Sequence, residues 1–271
     1  MPESISLIKN NLSELLNLAV EAGNAILEVY KTAFDVEIKD DNSPLTLADQ
    51  HSNEIICKGL IKLGGIPILS EEVAQHPYEE RKSWKSFWLV DPLDGTKEFV
   101  RRTGDFTVNI ALIEGTEPIF GLIYVPVSRK LYFALKGHGS YTVLSSTNMP
   151  DSYEKIVAIS RKLPLENTAR EGFTIATSSL HGSPKTDAYI KKEKEKHPVV
   201  NVISAGSSLK FCLIAEGLAD AYPRFGPTME WDTGAGHIIV AETGKKLVCY
   251  DTMETLRYNK PSLYNPDFLV Y

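Results

Sequence analysis

A mixed fold of the α+β or α/β class, with a sheet covered by helices, is what this sequence predicts. Three observations predict it. The first thirty residues carry helical periodicity, a cluster of short apolar runs follows Gly64-Gly65, and strand-like and helix-like stretches alternate beyond residue 155. Two helices followed by a cluster of strands imply a layered sheet with helices segregated against it.

Ile8, Leu12, Leu15, Ala19, Ala22 and Ile26 recur three or four residues apart, which gathers them on one face of a first helix. Lys39-Asp40-Asp41-Asn42-Ser43-Pro44 breaks the pattern, because Pro44 disfavours helix just before it. A second helix is expected from Thr46, carrying Ile55, Ile56 and Leu60 inward. The apolar runs at 66–69, 87–90, 108–113, 121–125 and 131–135 are each bounded by turn residues and read as strands. The polar run from Ser145 to Ser152 marks a boundary, so two units are expected, 1–145 and 146–271, with a cleft between them. In the second unit, strands are expected at 156–159, 173–176 and 199–203 and a helix over 208–215. Lys191-Lys192-Glu193-Lys194-Glu195-Lys196 reads as a solvated helix face.

Of 271 residues, 43% are hydrophobic and 24% charged, a balance that suits a soluble globular chain. A net charge of -6 argues against attraction of a nucleic acid polymer by bulk electrostatics. Cys57, Cys212 and Cys249 are scattered among apolar neighbours with no CxxC spacing, so buried free thiols in a reducing compartment are expected. Glu3 stands where a secretory signal carries basic residues, and no apolar run reaches the ~18 residues of a membrane span. A cytoplasmic protein, at most peripheral at a membrane, is expected.

The chemistry concentrates in Phe87-Trp88-Leu89-Val90-Asp91-Pro92-Leu93-Asp94-Gly95-Thr96. Four apolar residues form a buried strand from whose end two aspartates emerge, with Pro92 stiffening the backbone and Gly95 permitting a tight turn. Carboxylates so close repel unless a cation lies between them. Mg²⁺ suits that place, since it takes hard oxygen ligands. The N–H groups near Gly95 and Thr96 would cradle an anion if they open a helix. Taken alone, an aspartate at a strand end is a turn or cap residue. Two further acidic strand or helix ends shift the balance: Ile66-Pro67-Ile68-Leu69-Ser70-Glu71-Glu72, and Trp231-Asp232 before the small-residue helix of Thr233-Gly234-Ala235-Gly236-His237. The histidines form no zinc-type cluster with these acids.

With these motifs in this order over nearly the whole chain, the sequence resembles the inositol monophosphatase-like, lithium-sensitive phosphatase superfamily. The signatures that carry the resemblance are Asp91-Pro92-Leu93-Asp94-Gly95-Thr96, Trp231-Asp232-Thr233-Gly234-Ala235-Gly236 and the Glu71-Glu72 strand end. It implies a layered α/β/α/β/α fold with two or three Mg²⁺ ions at the subdomain junction. It also implies ligands from Glu71, Asp91, Asp94, Asp232 and the Leu93 carbonyl, with Glu71 and Thr96 aiming a water at phosphorus. Thr46-Leu47-Ala48-Asp49 has the spacing of a capping box. The resemblance instead implies that Asp49 polarises the catalytic threonine, and capping alone also accounts for the spacing.

Within that superfamily the chain is most similar to the 3′(2′),5′-bisphosphate nucleotidase branch. The segments are Lys97-Glu98-Phe99-Val100-Arg101-Arg102, Gly104 to Ala111, and Gly206-Ser207-Ser208-Leu209-Lys210 running on to Tyr222-Pro223-Arg224. Ser207 or Ser208 can cap a helix, which leaves Lys210 in its first turn. A cation there opposes the helix dipole unless it meets an anion. Arg224 offers a planar fork for a phosphate. Without the resemblance these are a surface lysine and a structural Arg–carboxylate pair. With it, Gly95, Thr96, His181, Ser207, Lys210, Arg224 and Asp232 become substrate-binding residues. The implied reaction is hydrolysis of 3′-phosphoadenosine 5′-phosphate to AMP and phosphate. The alternative enzyme is an inositol or sugar monophosphatase on the same metal core. A catalytically silent metal- or nucleotide-binding regulator is disfavoured, because every core acid and the threonine are present.

Overall fold

The periodic face of the first helix becomes one wall of the core. In the computed structural model, which describes residues 3–31, 36–38, 44–73, 76–146, 149–166, 170–178 and 183–271, α1 (Glu3–Tyr30) buries Ile8, Leu12, Leu15, Ala19, Ala22 and Ile26. The short antiparallel pair β1 (Val36–Ile38) and β2 (Pro44–Thr46) leads to α2 (Leu47–Ile61), which buries Ile56 and Leu60.

Then come β3 (Ile68–Ser70), α3 (Tyr78–Arg81), β4 (Ser86–Asp94), α4 (Thr96–Val100), β5 (Thr107–Glu114), β6 (Glu117–Val125), β7 (Lys130–Leu135) and β8 (Gly139–Leu144). After them α5 (Tyr153–Ile159) leads to β9 (Arg161–Lys162). Strands β3 to β9 make one seven-stranded sheet in sequence order, parallel between β3 and β4 and antiparallel elsewhere. Successive residues of β4 serve opposite faces: Trp88 and Val90 pack toward α1 and α2, Phe87 and Leu89 toward the other side. A sheet covered on both faces needs such unbroken apolar runs.

The rest of the chain supplies β10 (Phe173–Ser178), α6 (Pro184–Lys196), β11 (Val200–Ala205), α7 (Leu209–Glu216), β12 (Tyr222–Arg224), α8 (Glu230–Ala241), β13 (Leu247–Cys249) and β14 (Phe268–Val270). Parallel β10–β11 and antiparallel β12–β14–β13 adjoin through a bridge between Ile175 and Ala221. Phe211, Ala215, Trp231, Ala235 and Ile239 of α7 and α8 pack against the far face of the large sheet. Tyr189 of α6 closes a third core with Ile175, Ala221, Val248 and Leu269. The order of layers is therefore α/β/α/β/α. Among the described residues no helix is long and apolar enough to cross a membrane.

Several expectations change in detail. The stretch 156–159 is helix, not strand: Ser152 caps it by accepting from Lys155 N, and of α5 only Ile156 is fully buried. A four-residue apolar run does not separate the two states, and the cap decides. Ile156 and β9 lie past the expected boundary at 145, yet both stay with the first sheet. Cys212 is buried, whereas Cys57 and Cys249 are only half-buried. Within α6, Glu193 is buried and paired with Lys196, while the other charged residues of its 191–196 run are exposed.

The small residues of α8 have a packing reason. A Cβ on Gly121 of β6 would lie 2.4 Å from the Ala235 carbonyl oxygen, and one on Gly236 would lie 2.4 Å from Phe211 Cγ. Glycine on both surfaces lets α8 lie directly on the sheet with α7 behind it. Gly121→Ala should push α8 outward and destabilise the fold by about 1–3 kcal/mol, as overpacking does. Denaturant titration reads this, and an unchanged midpoint would contradict the packing account.

Candidate active site

Two aspartates three positions apart on an ideal strand face opposite sides of the sheet. Here Asp91 pairs with Asn109 but Asp94 with Thr107, so β4 advances three residues while β5 advances two. That extra residue is a β-bulge at Pro92-Leu93, and it returns Asp94 to the face occupied by Asp91. Ser52 of α2 anchors the bulge by donating to the Pro92 carbonyl at 2.7 Å, and Leu93 N donates to Asp91 Oδ1 at 3.1 Å. The Thr96 hydroxyl donates to the Leu93 carbonyl at 3.3 Å. Gly95 adopts φ 89°, and a Cβ there would lie 3.0 Å from the Asp105 carbonyl oxygen, so glycine is required at the turn into α4.

The remaining acids arrive from other elements. Glu71 follows β3, whose Ser70 pairs with Val90, and Glu71 N donates to the Val90 carbonyl. Asp49 is buried in the first turn of α2. Asp232 does not precede its helix. It lies inside the first turn of α8, where its Oδ2 accepts from Met229 N at 2.9 Å. This capping role coexists with a place in the acidic cluster, since burial, Asp94 and Glu71 push its carboxyl well above the usual range. Asp91 is pushed up likewise by burial and by Glu71, Asp94, Asp232 and Asp49. The five carboxylates thus share one electrostatic neighbourhood. Among the described residues no three of them close into a tight cage.

Asp94 is gripped through one oxygen. Ser207 Oγ donates to Oδ2 at 2.7 Å, Ser208 Oγ at 2.8 Å and Asn109 Nδ2 at 3.3 Å. Sequence reasoning gave Ser207 to the substrate and passed over Asn109 and Thr107. A signal existed: 107, 109, 111 and 113 alternate onto one face of β5, and two of these inward positions are polar beside buried Ala111 and Ile113. The cap expected from Ser207 or Ser208 is absent, for Ser208 occupies the N-cap position of α7 without a side-chain cap.

Lys210 is no surface lysine. It is 3% exposed, donates to the carbonyls of Ala205 at 3.2 Å and Ser207 at 2.6 Å, and lies over the Tyr222 ring. Burial and then the repulsion of Arg224, opposed by Asp94, Glu98 and Asp105, lower its pKa to about 8. Arg224 makes no ion pair with a carboxylate among the described residues. It donates to the Pro227 carbonyl at 3.3 Å, and its buried Nε meets no acceptor there. Asp94, Gly95, Ser207, Lys210, Arg224 and Asp232 line one cavity of about 110 Å³, which brings acids and cations together. Glu98, buried beside it and pushed up by burial, is a lining residue that sequence reasoning did not single out. His181 lies outside the described residues.

Residues 10–265 match the model of the inositol monophosphatase family. A 3′(2′),5′-bisphosphate nucleotidase CysQ of Salmonella typhimurium is 40% identical over 266 residues, covering 96% of this chain and 98% of that one. The CysQ of Escherichia coli K12 is 39% identical over 265 residues, again covering 96% and 98%. The crystal structure of CysQ from Bacteroides thetaiotaomicron superposes with a TM-score of 0.87 at 44% identity, covering 96% of both chains. An IMPase of Thermotoga maritima, at 19% identity and a TM-score of 0.72 over 96% of this chain and 91% of its own, shares the fold. The chain belongs to the inositol monophosphatase family.

Proposed function

We propose that this chain is a Mg²⁺-dependent 3′(2′),5′-bisphosphate nucleotidase that hydrolyses 3′-phosphoadenosine 5′-phosphate to AMP and phosphate. One observation carries the reading: a single cavity joins the acids Asp94 and Asp232 to the cations Lys210 and Arg224. A ligand suited to both sets of groups has one phosphate to place against metal-holding carboxylates and a second anionic group to place against cations. At about 110 Å³ the cavity suits phosphate groups, so the nucleoside extends beyond it. The names of the CysQ relatives support the same reading.

The donor set fits Mg²⁺. Asp49, Glu71, Asp91, Asp94 and Asp232 repel one another when ionised, and burial strengthens that penalty on Asp91 and Asp232. A hard divalent cation relieves it, and these groups with the Leu93 carbonyl offer only oxygen. Glu71, Asp91, Asp94, Asp232 and Leu93 would hold two or three ions. Mg²⁺, when bound, supplies Lewis-acid stabilisation of phosphoryl charge and acidifies a water molecule.

The chain's own part is positioning and proton handling. Thr96, held by its bond to Leu93 O, orients the attacking water, with Asp49 and Glu71 as the neighbouring proton acceptors. Lys210 and Arg224 hold the non-reacting phosphate. Gly95, without a Cβ, lets the reacting phosphate approach the backbone at the start of α4. His181 we keep as a substrate contact and Ser207 as an indirect one, acting through Asp94. The chain works as two units, 1–145 and 146–271, with Ile156 and β9 packed onto the first, in the cytoplasm, and any membrane contact is peripheral.

Three outcomes follow. Asp91→Asn and Asp94→Asn keep shape but remove metal-holding charge, and each should lower kcat about a thousandfold. Normal turnover in chelator-treated enzyme would refute the metal mechanism. Lys210→Met and Arg224→Met should each lower kcat/KM for the adenosine bisphosphate roughly tenfold to a hundredfold, the worth of a charge-assisted hydrogen bond, and spare inositol 1-phosphate. Equal losses on both substrates would assign these residues to the fold. A wild type that prefers inositol 1-phosphate would favour the inositol monophosphatase reading.

The third outcome concerns pH. Lys210 is an ammonium below its pKa of about 8 and neutral above it, so its grip on a phosphate is lost as pH rises. The kcat/KM profile for the bisphosphate, which reports the free enzyme, should therefore fall through about pH 8. Lys210→Met should abolish that limb, and a limb that persists in the variant would detach it from Lys210.

A further inference from the structure

Two neighbouring serines break local rules at the same place. Ser207 holds a left-handed backbone at φ 50°, a region that disfavours side chains. Ser208 stands at the N-cap position of α7 and forgoes the side-chain cap that serine favours there. Both hydroxyls are turned to Asp94 Oδ2 instead.

The network behind them has a direction. Asn109 Nδ2 lies 3.3 Å from Asp94 Oδ2, an acceptor when ionised, which fixes the amide with its NH₂ on that side and so toward Ser208 Oγ at 2.9 Å. An oxygen that accepts from Asn109 must send its single proton elsewhere. Its two acceptors are Asp94 Oδ2 at 2.8 Å and the Asp232 carbonyl at 3.0 Å. Among the described residues every donor on the Asp94 carboxylate falls on Oδ2, and none falls on Oδ1.

We infer that Ser208, oriented by Asn109, is a positioning residue for Asp94: it fixes the carboxylate through Oδ2, leaves Oδ1 to a cation, and ties the end of β4 to the first turn of α8. The inference rests on the reading of Asp94 as a Mg²⁺ ligand. A ligating carboxylate free to rotate gives up much of its preorganisation, and loss of an outer partner of this kind costs about tenfold to a hundredfold in metal affinity. Ser208 should therefore act on metal binding before any substrate is present. A residue that merely touched substrate would leave that affinity unmoved.

The experiment is calorimetric titration of the substrate-free protein with Mg²⁺, for wild type, Ser208→Ala, Ser208→Cys and Asp94→Asn. Ser208→Cys keeps the side-chain volume and weakens the donor, so it carries the test if Ser208→Ala fails to fold. The expected result is a roughly tenfold to hundredfold rise in the apparent Kd for the Ser208 variants and a larger rise for Asp94→Asn. Wild-type affinity in the Ser208 variants alongside weakened binding in Asp94→Asn would overturn the role of Ser208 and leave the metal reading standing. Wild-type affinity in Asp94→Asn would overturn both.

Discussion

Mutual repulsion among clustered carboxylates is the constraint around which this fold is arranged. Asp49, Glu71, Asp91, Asp94 and Asp232 come from α2, the end of β3, β4 and α8, and the interior around Asp91 and Asp232 strongly disfavours their charge. Left to themselves such groups separate or take up protons. They stay together because they are fastened to four different rigid elements. Register places Glu71 beside β4, the bulge turns Asp94 to the side of Asp91, and glycine packing seats α8 close to the sheet.

The fastening is redundant at the first turn of α8, which carries Asp232. Buried Glu230 accepts from Asn259 N and Lys260 N and pairs with Lys260 Nζ at 2.6 Å. Asn265 Nδ2 donates to the Met229 carbonyl at 2.6 Å. His237 lies in a contact of 3.0 Å with Tyr258, and burial lowers its pKa to about 4, so it stays neutral and structural at ordinary pH. The C-terminal loop is thereby clamped to α8 by groups that have no part in the chemistry.

Departures from local preference gather at the cavity. Ser207 has positive φ, Ser208 does not cap, and Lys210 is a buried cation in the first turn of a helix. Arg102, Arg129, Met253 and Asn259 also hold positive φ, but only at the cavity do three such departures fall within four residues, and that coincidence marks a place where function outweighs stability. Lys210 also shows how the conflict is offset: carbonyl oxygens at 2.6 and 3.2 Å and a ring face take the place of water around the ammonium.

The sequence by itself determined the periodic face of α1, the two-sided strands of the large sheet and the acids at strand ends, because these depend on local period and composition. It also carried the family's motifs, and with them the layer order. It did not determine whether 156–159 would be helix, since four apolar residues satisfy both periods and the cap at Ser152 settles it. Nor did it place Asp232 inside its helix or bury Lys210. Ser208 meets Asn109 and Asp94, which lie 99 and 114 positions away along the chain. Contacts of that kind leave no periodic trace in a sequence. Only the stacking of α7 and α8 on the large sheet brings them within hydrogen-bond distance, and so decides which hydroxyls face the acids and which cations face the cavity.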